Sequence, residues 1–197
     1  MLSLKSPTDC LKPAFLFKKL PFLGREKEPS FSLPTKSCYT NFMVLEIDQS
    51  GKIEQTNKNT ILCLSNKKWY ALFIPARVKR QIQEIFRRNG QVRNFVLFTF
   101  CAGLALLLKE VKPKAKVVID EEYYGKGAII KNILQELLSK MKHLPIIEFR
   151  RIGKRSSAHI LAKEVALRHK KPRWTVNTDQ LIKQIKMTEV GKRLKNA

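Results

Sequence analysis

Acidic side chains and histidines are scarce in this sequence of 197 residues. It holds 16 Asp and Glu against 39 Lys and Arg, a formal net charge of +23, and only three histidines. A positive surplus of this size exceeds what solubility requires, and it favours a polyanionic partner, with nucleic acid ahead of an anionic membrane. A highly charged but solvated surface is the alternative interpretation.

Closely spaced cysteines are absent. The four cysteines lie far apart, no CxxC pair occurs, and the histidines do not complete the spacing of a zinc site. This excludes zinc-ribbon and zinc-finger classes. Cys101 lies inside an apolar run and is expected to be a buried thiol, which suits a reducing intracellular compartment.

Long apolar runs are also missing. The longest, residues 95–108, has 14 residues, which is fewer than the roughly 20 needed to cross a bilayer. No continuous apolar segment follows the basic residues near the start, so no secretory signal is expected. We therefore predict a soluble cytoplasmic protein with no membrane contact. Association with the nucleoid is compatible with this location.

The distribution of proline divides the chain. Five of the nine prolines fall in residues 1–42, which argues against long helices or sheet strands there. We expect a flexible proline-rich extension over 1–42, a folded domain over 43–171, and a basic C-terminal tail with one short helix over 172–197.

Between residues 43 and 171 the apolar pattern predicts an α/β fold. Three early strands are followed by helix, strand, helix, strand and helix, which indicates a five-stranded mixed sheet flanked by helices. An amphipathic helix is predicted near residues 76–89, with cationic side chains, Lys79 and Arg80 among them, on its polar face. A buried helix follows at about residues 93–111.

Two carboxylates lie at the ends of predicted strands, and a histidine opens a later helix. MVLEID ends in Asp48, AKVVID ends in Asp120, and His159 lies in SSAHILAKEVA, where Ser156 or Ser157 is the expected N-cap. Two strand-borne acids and a helix-borne polar group can form a divalent-metal site for phosphodiester chemistry. Local hydrogen bonding of Asp48 at a glycine turn, and a neutral hydrogen-bonded His159, are the alternatives.

These segments together resemble the ribonuclease H-like superfamily. MVLEID followed by QSGK is similar to its first strand and turn, and VVIDEEYYGKG is similar to its fourth strand with a second Asp and a following Tyr. SSAHILAKEVA resembles its final-helix motif N-x-x-A-D-x-L-A-x-x-A, with His159 at the Asp position. The resemblance implies a ribonuclease H-like fold in which Asp48, Asp120 and His159 are catalytic and hold Mg²⁺ or Mn²⁺.

One residue of that family pattern has no counterpart here. The family usually supplies a Glu from its first helix, whereas Glu110 lies at the end of the predicted helix far from the strand tips. Either Glu121 or Glu122 can replace it, but not both, because successive strand residues point to opposite faces.

Basic residues are expected to bind the nucleic acid. The segment RRIGKRSS precedes the helix that bears His159, and Gly153 and the helix N-terminus add backbone N–H donors suited to phosphate. An aromatic near cations can add stacking on a base. The predicted nucleic-acid-binding residues are Arg150, Arg151, Lys154, Arg155, Arg173, Trp174, Arg80 and Arg87.

The sequence thus predicts a nucleic-acid-binding, ribonuclease H-like protein with metal-dependent cleavage of phosphodiester bonds as its candidate activity. Two alternatives remain open: a non-catalytic nucleic-acid-binding protein on the same scaffold, and a basic subunit of a ribonucleoprotein. DNA, RNA and a hybrid are all open as partners.

Overall fold

The computed structural model describes residues 44–65 and 68–194. The proline-rich extension predicted at residues 1–42 lies outside the described residues. In the described part, the chain forms an α/β fold built on one mixed sheet of six strands.

The strands follow the predicted order, with one addition at the C-terminal side. Their bounds are β1 Val44–Ser50, β2 Thr60–Ser65, β3 Trp69–Ile74, β4 Lys116–Ile119, β5 Ile147–Phe149 and β6 Trp174–Thr175. The order across the sheet is β5-β4-β1-β2-β3-β6. β1, β2 and β3 form an antiparallel meander, while β4 pairs in parallel with both β1 and β5.

The sixth strand corrects the predicted number of five. β6 pairs in parallel with β3, which places Leu72 opposite Trp174. The Trp174 ring stacks on Tyr70, with ring centroids 5.8 Å apart and planes 6° apart. A strand of two residues is too short to show an alternating apolar pattern in the sequence. It is recognised in the structure by its pairing with β3 and by the stacking of Trp174 on Tyr70.

Helices cover both faces of the sheet, but more of them lie on one face than on the other. They are α1 Ala76–Arg88, α2 Phe95–Val111, α3 Gly127–Leu138, α4 Ser157–Ala166, α5 Thr178–Ile185 and α6 Glu189–Lys192, with a short 3₁₀ turn at Val92–Asn94. The larger core joins Leu62, Leu72 and Val117 of the sheet to α1, α2, α3 and α5. α4 covers the opposite face, where Leu161 and Val165 pack against neighbouring strand residues.

Helix α2 is the central core element. Together with the 3₁₀ turn before it, it forms a 20-residue segment, Val92–Val111, that is long and apolar enough to cross a membrane by length and composition alone. Its most apolar 18 residues have a mean hydropathy of 1.7, and 61% of them are buried in this fold. Gly103 allows the close approach of α2 to the sheet, because a Cβ there would lie 2.8 Å from a methyl carbon of Leu62.

Lys79 of α1 is fully buried, although the sequence placed it on the solvent face of that helix. Its ammonium group donates hydrogen bonds to the carbonyls of Lys52 and Gln55 and to the hydroxyl of Thr60, at 2.8–2.9 Å. Three donors thus meet three acceptors, which offsets the cost of burying the charge. Lys79 thereby anchors the turn that links β1 to β2.

Candidate metal centre

The two predicted aspartates lie side by side on neighbouring parallel strands. Asp120 directly follows β4, as predicted, whereas Asp48 lies inside β1, because pairing with β2 extends that strand to Ser50. Ile47 of β1 is the register partner of Ile119 of β4, so Asp48 and Asp120 are the next residues on each strand. The backbone N–H of Asp120 donates to the carbonyl of Ile47 at 2.9 Å, which continues the pairing by one residue. Sheet register therefore brings together two acids that are 72 positions apart in the sequence.

Glu122 is the third carboxylate of the group. One oxygen from each of Asp48, Asp120 and Glu122 lies within 4.8 Å of the other two. The chain leaves β4 at Ile119, and the N–H of Glu122 donates to the carbonyl of Asp120 at 2.9 Å. This tight turn directs Glu122 towards the aspartates and leaves Glu121 outside the group.

Asp48 and Glu122 occupy an environment that disfavours their negative charge. Asp48 is only 4% exposed, and burial raises its pKa, an effect that His159 opposes and Asp120 reinforces. Burial also raises the pKa of Glu122, against the attraction of Lys52, whose ammonium lies 3.8 Å from the Glu122 carboxylate. Neighbouring acids add to both shifts, so a cation placed between the three oxygens would relieve their repulsion.

His159 contacts Asp48 but is not part of the three-carboxylate group. Its Nδ1 lies 3.2 Å from Oδ2 of Asp48, and its side chain is 39% exposed. Ser156 caps α4 by accepting a hydrogen bond from the N–H of Ala158, and its hydroxyl donates to Glu46 at 2.6 Å. These contacts fix the start of α4 against β1, so that the imidazole faces Asp48.

The basic segment between β5 and α4 wraps around Asp120. The N–H of Ile152 donates to Oδ1 of Asp120 at 2.5 Å, which orients that carboxylate. Arg151 donates to the hydroxyl of Tyr124 at 2.6 Å, and its guanidinium lies 5.4 Å from the centre of that ring. Four cations of this segment are exposed to solvent beside the acids: Arg150, Arg151, Lys154 and Arg155.

Two other predicted contacts lie away from the carboxylates. Arg173 stacks over Tyr70 and Trp174 at 5.0 and 5.4 Å, next to a cavity of about 340 Å³. Trp174 pairs with Leu72 and packs against the larger core, whereas Asp48 pairs with Cys63 on the face that α4 covers. Arg173 and Trp174 therefore belong to the far edge and opposite face of the sheet.

The two predicted arginines of α1 are also outside the group. Arg80 donates to the carbonyl of Thr56 at 3.0 Å, and Arg87 forms an ion pair with Glu84 at 2.8 Å. Glu110, the only acid of α2, lines the cavity next to Trp174. Helix α2 thus supplies no carboxylate to the centre.

Sequence reasoning overlooked Lys52 and Glu54, which reach the acids from the β1–β2 turn. Glu54 accepts a hydrogen bond from the Tyr123 hydroxyl at 3.3 Å, and burial raises the pKa of that tyrosine. The glycine turn at residue 51 was visible in the sequence. Its anchoring by Lys79 was not, because that contact joins separate elements.

The arrangement has the chemistry of a divalent-cation site. Carboxylate oxygens are the preferred ligands of hard ions such as Mg²⁺ and Mn²⁺, and three acids with one ligand atom each within 4.8 Å could hold such an ion. Comparison of the chain with protein-family models, with curated proteins and with solved structures finds no match.

Proposed function

We propose that this protein is a nucleic-acid-binding phosphodiesterase that uses Mg²⁺ or Mn²⁺, a nuclease on a ribonuclease H-like domain. The observation that carries the proposal is the group formed by Asp48, Asp120 and Glu122, gathered where the parallel strands β1 and β4 lie side by side, in a chain of net charge +23. The β1–β3 meander, the parallel β4 and the position of α4 beside Asp48 support the ribonuclease H-like assignment.

Each residue of the centre has a role in the proposal. Asp48, Asp120 and Glu122 hold the ion, which when bound activates water and stabilises the leaving oxygen. The N–H of Ile152 keeps the Asp120 carboxylate in one orientation. His159, hydrogen-bonded to Asp48 and partly open to solvent, positions that carboxylate and can carry a proton to or from it.

The exposed cations of residues 150–155 supply the contact with the substrate backbone. They flank Asp120, so a phosphate drawn to them is brought to the acids. Arg151 is held by Tyr124, which is 62% exposed and offers a ring face beside the guanidinium. Phosphate contacts of this kind are independent of base sequence and weaken steeply as salt increases.

The test is cleavage of labelled DNA, RNA and hybrid oligonucleotides with Mg²⁺, with Mn²⁺ and with a chelator. Wild-type protein should cut at least one substrate only when metal is present. Asp120→Asn should abolish cutting and leave binding intact, since the amide oxygen can still accept from Ile152. Loss of one metal-binding carboxylate should reduce the rate at least about 100-fold.

Glu121 and Glu122 provide a matched pair of variants. They are adjacent and chemically identical, but only Glu122 belongs to the three-carboxylate group. Glu122→Gln should lose metal-dependent cutting, whereas Glu121→Gln should keep it. Equal loss in both variants would contradict the assigned centre, and so would cutting that persists in a chelator.

A non-catalytic nucleic-acid-binding protein is the second candidate. It is favoured by the ion pair between Lys52 and Glu122 and by the lack of a carboxylate from α2, because protein groups then already balance part of the acidic charge. In that case, salt-sensitive binding would be measured without any metal-dependent product.

A further inference from the structure

A second concentration of positive charge lies at the opposite end of β4 from the acids. A cavity of about 570 Å³ opens there, between the C-terminal ends of α2 and α3. Among the described residues, its lining contains no acid. The lining residues are Lys109, Lys112, Lys114, Lys140, Met141, Lys142 and His143.

Two turns hold these lysines in place. After α2, Lys112 adopts a left-handed conformation with φ of 47°, and its N–H donates to the carbonyl of Leu108 at 2.8 Å. After α3, the N–H of Met141 donates to the carbonyl of Leu138 at 2.8 Å. Each turn directly follows the end of a packed helix. The fold therefore fixes the positions of the lysines that line the cavity.

The lysines repel one another and lack counter-charges within the fold. Lys109 donates to Gln184 at 3.0 Å, and burial together with the charge of Lys140 lowers its pKa. Over residues 44–65 and 68–194, none of the other cavity lysines forms an ion pair. The negative ends of two helix dipoles contribute only about 0.3–1 kcal/mol per cation.

We propose that this cavity binds clustered phosphate groups. Its volume lies within the roughly 300–1,000 Å³ typical of small-ligand sites, and its lysine stems and Met141 give an apolar wall below the ammonium groups. Multiple phosphates match several ammonium groups in one site, whereas a single carboxylate would neutralise only one. The phosphates can belong to a free polyphosphate or to a nucleic-acid backbone.

This site is distinct from the carboxylate centre. Lys114 and Asp120 lie on either side of β4, six positions apart, a span of up to about 20 Å at roughly 3.3 Å per residue. The proposal therefore does not depend on nuclease activity. Phosphate binding at the cavity should persist in Asp120→Asn, so the two ideas fail or succeed separately.

The test compares two variants that lose the same charge. One replaces four exposed lysines of the cavity by Gln, and the other replaces four exposed lysines elsewhere. The cavity set is Lys112, Lys114, Lys140 and Lys142. The control set is Lys58, Lys131, Lys171 and Lys183.

Inorganic tripolyphosphate, measured by calorimetry, and a single-stranded oligonucleotide, measured by fluorescence anisotropy, are the two probes. The cavity variant should bind at least one probe ten-fold or more weakly than the control variant does. A loss for tripolyphosphate identifies a free polyphosphate as sufficient, and a loss for the oligonucleotide alone identifies the backbone as the source. Equal binding by both variants to both probes would overturn the proposal.

Lysine acylation of wild-type protein gives a second measurement that needs no variant. Mass spectrometry should show that the bound probe protects the cavity lysines at least several-fold, while Lys131 and Lys183 react as before. Uniform protection, or none, would refute a localised site.

Discussion

The carboxylate of Asp48 is buried beside two other acids, and this has a measurable consequence for stability. We expect Asp48→Asn to make the metal-free protein more stable than wild type at pH 7. The substitution keeps the size of the side chain and an oxygen that can accept from His159, but it removes a charge that burial and Asp120 disfavour.

The magnitude follows from the distances. Two unit charges 4.8 Å apart repel by about 3.5 kcal/mol at an effective dielectric constant of about 20, and Asp120 is the acid that adds to the raised pKa of Asp48. The hydrogen-bonded His159 opposes this effect. Weakening the charged hydrogen bond to His159 removes roughly a further 1 kcal/mol. A net gain of about 1–3 kcal/mol is therefore expected for the variant.

The dependence on pH has a defined sign. The pKa of Asp48 is raised in the folded protein, so the folded state binds the proton more tightly than the unfolded state does. The wild type therefore loses stability as pH rises from about 4 through the folded pKa, and Asp48→Asn does not. The advantage of the variant should be smallest near pH 4 and should grow towards pH 7.

Urea unfolding in a chelator and in excess Mn²⁺ measures the effect. In the chelator, the variant should unfold at higher urea; with the ion, wild type should gain RT ln(1 + [L]/Kd) and the variant should gain little. Glu121→Gln is the control and should show neither effect, because Glu121 is adjacent to Glu122 but outside the three-carboxylate group. A destabilised Asp48→Asn, or equal stabilisation of both proteins by Mn²⁺, would refute the reasoning.

Two further predictions concern the β1–β2 turn. Lys79→Met should destabilise the protein by about 2–4 kcal/mol in urea titrations, because three acceptors lose their donor. Burial lowers the pKa of Lys79 to about 8, so the folded state binds fewer protons between about pH 8 and 10.5, and wild-type stability should rise across that window relative to Lys79→Met. Gly51→Ala should cost more than about 1 kcal/mol in the same titration, because φ is +75° and the new Cβ would lie 2.2 Å from the carbonyl oxygen of Asn59; an unchanged midpoint would contradict this.

The apolar pattern predicted most of the helices and strands, because the residues that each of them buries are regularly spaced within its own segment of sequence. Helix α1, predicted at residues 76–89, spans Ala76–Arg88, and its apolar positions Val78, Ile82 and Phe86 are buried. The third of the early strands was predicted from KKWYALFI, up to Pro75, and β3 spans Trp69–Ile74. Period and turn residues carry enough information for elements of this length.

The features that the sequence did not predict depend on contacts between distant residues. Lys79 lies on the buried face of α1, three residues before Ile82 and seven before Phe86, and its charge alone led to the prediction that it faces solvent. The carbonyls of the β1–β2 turn and the Thr60 hydroxyl make its burial favourable.

Which of Glu121 and Glu122 joins the aspartates is decided by a turn after β4. The sequence offered only the alternation of side chains along a strand, which shows that one of the two can join but not which one. Asp48 and Asp120 could be singled out because each follows a run of apolar strand residues, although β1 continues past Asp48 to Ser50.

The outermost strands, β5 and β6, contain three and two residues, so the sheet presents very little unpaired ladder at either side. β6 is the cover of β3, whose six residues WYALFI are mostly apolar. A protein shortened after Lys171 would uncover that side of β3 and offer its free N–H and C=O groups to other molecules. The segment predicted as a basic C-terminal tail therefore supplies the strand that closes this side of the sheet.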